Sequence, residues 1–139
     1  MPVIGLHCSH EQIPPSRLLA HVREAEAAGF GAAMSSDHFS PWSERQGESG
    51  FAWSFLGAAL QATELPFGVV NAPGQRYHPA IVAQAVATLC ELFPGRLWIA
   101  LGTGEASNEH IARIGMTHET FAQRYSVPVR IRLTRLRGH

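Results

Sequence analysis

Two stretches carry the side chains best suited to chemistry. The first is SDHFSPW, Ser36 to Trp42, where an acid and a histidine stand side by side and a tryptophan follows. Histidine takes and gives protons near neutral pH, so His38 suits proton transfer coupled to another bond change. Adjacent residues need not hydrogen-bond to each other, so spacing alone does not make Asp37 and His38 a dyad. Trp42 is placed to wall a flat ring or to fill space beside it. The second stretch is GTGEASNE, Gly102 to Glu109, which follows the apolar run RLWIAL. A Gly-x-Gly after a strand cradles a dinucleotide phosphate when a third small residue and a later acid complete the pattern. Here the third position is Ser107, and no later strand ends in an acid. Glu105 would also stand where the diphosphate belongs. A helix N-terminus favours an ionised carboxylate, so Glu105 suits charge stabilisation or base work, or a simple cap of about 0.3–1 kcal/mol.

Other chemistries are less well served. His7, His10, Asp37, His38 and His78 could meet at one mouth, which keeps a metal-dependent hydrolase as an alternative. Yet neither His-x-His nor His-x-x-x-His occurs, and His7 and His10 on an extended run would point apart. Gly-x-Ser-x-Gly, Walker and His-Glu-x-x-His motifs do not occur. The stretch Arg76-Tyr77-His78-Pro79 reads either as an anion site or as an arginine paired with a nearby helix start.

These residues need elements to position them. Val3 to Leu6 reads as a first strand. Pro14-Pro15-Ser16 opens a helix with Ser16 as the expected N-cap, and Leu18, Val22 and Ala25 form its buried stripe until Gly29 stops it. Phe30 to Ser36 is a second strand, Phe51 to Thr63 a second helix, and Pro66 to Gly74 a third strand broken by turn residues. His78-Pro79 starts a third helix with Ile81, Val82, Ala85, Val86, Leu89 and Phe93 inward. Arg96 to Leu101 is the fourth strand. The β-α-β-α-β-α-β order predicts a parallel sheet with right-handed crossovers, as in a doubly wound fold or part of a (β/α)8 barrel. In either, ligands meet the carboxyl ends of strands, and HCSHEQ, SDHFSPW, NAPGQRYH and GTGEASNE all lie there.

The composition is that of an ordinary globular protein, 45% hydrophobic and 16% charged over 139 residues. No basic leader or long apolar run opens the chain, and no window is long enough to span a membrane, so a cytoplasmic protein is expected. Cys8 and Cys90 read as reduced packing thiols. All eleven basic side chains are arginine. Residues 1–110 hold five of them against ten acids, whereas residues 111–139 hold six against the single acid Glu119. A charge switch that abrupt divides the chain into a domain over 1–110 and a basic tail over 111–139.

SDHFSPW together with RYHPAIVAQAVATLCELFPGRLWIALGTGEASNE, in this order and spacing, resembles the luciferase-like flavin/F420-dependent oxidoreductases, closest to the F420-dependent glucose-6-phosphate dehydrogenase branch and to a sister group of flavinoid oxidoreductases. The resemblance implies an α/β fold, the N-terminal half of a (β/α)8 barrel with about four β/α units. It implies hydride transfer or monooxygenation at the ring of F420 or FMN, acting on a small-molecule substrate, with neither nucleic acid nor membrane as partner. It assigns His38 and Glu105 to acid/base catalysis, Asp37, Asn71, Thr103 and Gly104 to the cofactor, and Trp42 to the substrate side. It further implies a non-proline cis peptide near Gly68-Val69. Residues 111–139 do not resemble the family's continuation, which predicts a shifted reading frame or premature end. A non-catalytic fragment or interaction module is therefore the competing reading, and a half barrel would expose its first and fourth strands, opening a route to a homodimer.

Overall fold

The computed structural model describes residues 2–71 and 76–102. Seven elements alternate: β1 (Gly5–Cys8), α1 (Pro15–Ala27), β2 (Ala32–Asp37), α2 (Ala52–Ala62), β3 (Phe67–Asn71), α3 (Pro79–Leu92) and β4 (Leu97–Leu101). The four strands form one parallel sheet in the order β1-β2-β3-β4, as the alternation requires. The register sets Cys8 beside Ser35, Asp37 beside Asn71, and Asn71 beside Leu101, so β2, β3 and β4 end level and β1 stops two residues short of them.

Side chains alternate across the sheet, and this assigns the two faces. Cys8, Ala33, Phe67 and Val69 point into the helical layer, where they meet Leu18, Val22, Leu56, Leu60, Val82, Val86 and Leu89 in one core. Each large apolar side chain buried there contributes about 1.5–3 kcal/mol. Helix α2 is buried on Ala52, Trp53, Phe55, Leu56, Ala59 and Leu60, because it packs on α1 as well as on the sheet. The opposite face carries Met34, Gly68, Val70, Trp98 and Ala100, and no helix covers it among the described residues.

Several local expectations shift. β1 begins at Gly5, and Val3 and Ile4 lie exposed ahead of it, because pairing with β2 starts at Gly5 opposite Ala32. Helix α1 starts one residue before Ser16: Pro14 is its N-cap and Pro15 its first residue, with no side-chain cap. Two prolines already fix the backbone there, and the missing N–H of Pro15 needs no cap. Gly29 does end that helix, at φ 89°. His78 caps α3 by accepting from the Ala80 amide at 3.2 Å. Ile81 is exposed rather than inward, leaving Val82, Val86 and Leu89 as the buried stripe. No cis peptide occurs among the described residues, so the bond implied near Gly68-Val69 is trans.

Both cysteines are free. Burial pushes the Cys8 thiol up to about 12, against a small opposing effect of a hydrogen bond with Ser35, so it packs as an un-ionised group.

Candidate active site

Beyond the carboxyl end of β1 the chain turns through Ser9, His10 and Glu11; beyond β2 it enters the loop that starts with His38. These two segments meet. Glu11 Oε1 accepts a hydrogen bond from His38 Nδ1, and Glu11 Oε2 accepts one from Ser9 Oγ at 2.7 Å. Burial alone would raise the Glu11 pKa. The hydrogen bonds from Ser9, from its own backbone amide and from His38 outweigh burial and hold the carboxyl below its ordinary value. An ionised carboxylate against Nδ1 fixes the proton on that nitrogen and leaves the Nε2 lone pair free.

Trp42 Nε1 also lies 3.3 Å from His38 Nδ1. A nitrogen that donates to Glu11 has no lone pair for the indole, so this contact is packing: the rings meet edge to face, 5.3 Å apart at 62°. Trp42 remains 60% exposed at the mouth. The loop is tied down at several points. The Trp42 amide donates to Gln46 Oε1 at 2.6 Å, Ser49 Oγ donates to the Phe39 carbonyl at 2.5 Å, and the amides of Glu48 and Gly50 donate to the carbonyls of Glu11 and His10. The loop that carries His38 is therefore clamped to the segment that carries Glu11.

Asp37 points the other way. Its side chain is fully buried and ion-paired with Arg76 Nη2 at 2.7 Å; Asn71 Nδ2 donates to its second oxygen and the Tyr77 hydroxyl to its first at 3.3 Å. Arg76 Nη2 also reaches the Asp37 carbonyl at 2.6 Å. Arg76 is thus engaged by a strand-end carboxylate rather than by the helix start that the sequence offered it. The Tyr77 hydroxyl is pushed up by burial first and by the Asp37 carboxylate second, so it serves as a neutral donor. Asn71 has a buried Oδ1 with no hydrogen-bond partner among the described residues, an acceptor left over once its amide nitrogen is committed to Asp37.

The structure therefore brings His38 and Trp42 together at the mouth and joins Asp37 to Asn71 beneath it. Thr103, Gly104 and Glu105 lie outside the described residues, as does the tail over 111–139. Glu11 is the residue that spacing did not single out; its signal was an acid just past the first strand, at the same end of the sheet as His38. His7 pairs with Ser36 Oγ at 2.8 Å, and no group of three or more possible metal ligands occurs among the described residues.

Titratable side chains gathered beyond the carboxyl ends of parallel strands stand where a βα barrel places its active site. The chain belongs to the luciferase-like monooxygenase family, whose model matches residues 2–126. It is 47% identical over 111 residues to the F420-dependent hydroxymycolic acid dehydrogenase of Mycobacterium tuberculosis, covering 78% of this chain and 31% of that protein. It is 43% identical over 126 residues to the F420-dependent glucose-6-phosphate dehydrogenase of Intrasporangium calvum, covering 88% and 38%. Among solved structures, an F420-dependent secondary alcohol dehydrogenase in complex with an F420-acetone adduct superposes with a TM-score of 0.81 at 38% identity, over 88% of this chain and 38% of that one. The chain thus spans about a third of the length of these relatives. Its four parallel strands and three helices are part of a (β/α)8 barrel, as the resemblance implied. No described helix is long and apolar enough to cross a membrane.

Proposed function

We propose that this chain carries the proton-handling half of a flavin- or F420-dependent oxidoreductase acting on a small alcohol or its carbonyl counterpart in the cytoplasm. The observation that carries this reading is the Glu11–His38 hydrogen bond at adjoining strand ends, in a chain similar to F420-dependent dehydrogenases. The residues present suit a flat ring with an N–H edge: Asn71 Oδ1 is a buried acceptor without a partner among the described residues, and Gly102 leaves the end of the neighbouring strand small. Asn71 would hold that edge, with Asp37 and Arg76 fixing the Asn71 amide from behind. Thr103 and Gly104 would flank the same ring. The bound cofactor supplies the hydride acceptor or donor.

His38 Nε2 takes the hydroxyl proton of an alcohol as its C–H hydride leaves, and returns a proton to the oxygen in the reverse direction. Glu11, negative and buried, balances the imidazolium that forms and keeps the ring turned toward the mouth. Trp42 covers the substrate side and excludes water. Glu105 serves as the second acid/base group. Residues 111–139, into which the family match runs as far as residue 126, are read as a basic tail that takes no part in the chemistry, and the open sheet edges allow self-association.

Two measurements test the reading. Titrating the purified chain with F420 and with FMN, followed by fluorescence, should show binding of one; a folded chain that binds neither favours a non-catalytic fragment. Grafting residues 2–102 into the F420-dependent secondary alcohol dehydrogenase should preserve turnover. In that chimera His38→Asn and Glu11→Gln should each lower kcat by about 10²–10⁴, the usual contribution of a positioned acid or base. Unchanged rates for both would refute the roles.

A further inference from the structure

Ser9, one residue past β1, opens the turn that carries Glu11. The Gln12 amide donates to the Ser9 carbonyl at 3.4 Å, so Ser9 takes the first position of a four-residue turn, where serine is favoured. Its hydroxyl turns to the Glu11 carboxylate, donating to Oε2 at 2.7 Å while Oε1 accepts from His38 Nδ1. The turn is held from outside as well: the Glu48 amide donates to the Glu11 carbonyl at 3.0 Å and the Gly50 amide to the His10 carbonyl at 3.2 Å. Each carboxylate oxygen thus has its own donor, one from the end of β1 and one from the end of β2.

A carboxylate only 4% exposed stays ionised when hydrogen bonds replace the water it has lost. Among the effects that oppose burial at Glu11, the Ser9 hydrogen bond is the largest. A protonated carboxyl, by contrast, can donate as well as accept. Donating to His38 Nδ1 would leave the imidazole proton on Nε2, the tautomer with no lone pair for an alcohol proton. The state of Glu11 therefore sets what His38 can do.

We propose that Ser9 is a positioning residue that acts through Glu11: its hydroxyl keeps Glu11 a carboxylate turned to Nδ1, and so keeps the Nε2 lone pair of His38 facing the mouth. When the alcohol O–H bond breaks and an Nε2–H bond forms, the same hydroxyl keeps that proton on His38, because Glu11 remains the anion beside it. The proton is then returned from the atom that received it. This rests on the proton-handling role given to His38 above.

Nuclear magnetic resonance of the 139-residue chain tests the proposal without turnover. Imidazole nitrogen shifts, with His38 assigned through His38→Asn, should show a ring protonated on Nδ1 at alkaline pH. Carboxyl carbon shifts should show Glu11 ionised to below the ordinary 4.5. Ser9→Ala should move the Glu11 titration upward and turn the His38 ring into a mixture of tautomers; Ser9→Thr should restore both. The other titratable groups around the turn are His7 and His10 on the same segment, Asp37 at the end of β2 and Glu48 in the clamped loop. All are kept in these variants, so the change is assigned to position 9. In the chimera carrying residues 2–102, Ser9→Ala should lower kcat by about 10-fold, less than the about 10²–10⁴ of a lost base, and move the acidic limb of the kcat profile upward with KM unchanged. A serine that only closes the turn would lower the unfolding midpoint and leave the Glu11 titration, the tautomer and the limb in place, and that result overturns the proposal. If Ser9→Ala fails to fold, Ser9→Cys, close in size and a weak donor, is read the same way. If His38→Asn leaves turnover of the chimera unchanged, the hydride-transfer reading fails, while the spectra still decide whether Ser9 governs the pair.

Discussion

Asp37→Asn tests what the buried ion pair contributes, because the side chain keeps its shape while the charge is lost and one acceptor oxygen becomes an amide donor. In the wild type the carboxylate has no solvent exposure, and the Arg76 side chain keeps 13% of its own. Removing one partner of a buried pair leaves an uncompensated charge, at a typical cost of about 3–5 kcal/mol. Arg76 retains its 2.6 Å hydrogen bond to the backbone carbonyl at position 37, and the asparagine oxygen still accepts from Asn71, so the lower end, about 3 kcal/mol, is expected. With a urea m-value of about 1–3 kcal/mol/M, the unfolding midpoint should fall by about 1–3 M. Arg76→Met in the Asp37→Asn background removes the stranded guanidinium and should recover about half of the loss or more, the signature of coupling in a double-mutant cycle. A loss below about 0.5 kcal/mol, or strictly additive effects, would place this pair with exposed ion pairs and refute the argument that Asp37 is locked under the site.

Two further outcomes follow from the packing and the protonation states. Gly68→Ala should cost about 1–3 kcal/mol through overpacking against Trp98 and should alter the near-ultraviolet dichroism of the indoles; an unchanged spectrum and midpoint would mean that the indole does not rest on Gly68. Acid should destabilise the fold in two stages. His10 is fully buried, edge-on to Phe55 at 4.8 Å, with no hydrogen-bond partner for either ring nitrogen among the described residues. Burial holds its pKa below the ordinary 6.5, opposed by the Glu11 and Asp37 carboxylates and assisted by His7. The unfolded chain therefore takes up the proton first, so the stability His10 contributes is complete above 6.5 and is lost as pH falls toward the folded value. Glu11, depressed from 4.5, adds a second loss below that pH. Thermal midpoints measured across both windows should fall in two steps, and His10→Leu should remove the upper one; a variant that keeps the upper step would assign it elsewhere.

Element order, strand direction and most of the core were legible because each depends on local pattern. Val82, Val86 and Leu89 recur at helical spacing, and glycine or proline punctuates every boundary. The misplaced details are those set by partners distant in sequence. Ile81 fits the helical stripe, yet it lies exposed because the buried contacts of α3 centre on Val82, Val86 and Leu89. β1 starts at Gly5 because its neighbour's pairing begins at Ala32, which Val3 and Ile4 give no hint of. Arg76 and Asp37 meet across 39 positions, a distance at which spacing carries no information.

The site was half legible for a reason that the strand geometry itself supplies. Asp37 and His38 are adjacent in sequence, and adjacency at the end of a strand sends two side chains to opposite faces. Asp37 shares its face with Ala33 and Ser35, both buried under helices, so it turns inward to Arg76, Asn71 and Tyr77. His38 takes the other direction and needs a carboxylate from elsewhere. The source is the end of β1, one of the two strands paired with β2, and Glu11 lies just past it. Neighbours along the chain are thus separated by the pleat, and the acid that serves the histidine comes from the adjoining strand. The same alternation leaves Met34, Val70 and Trp98 on the side that no described helix covers, so the rule that sends His38 to Glu11 also divides the sheet into a packed and an open face.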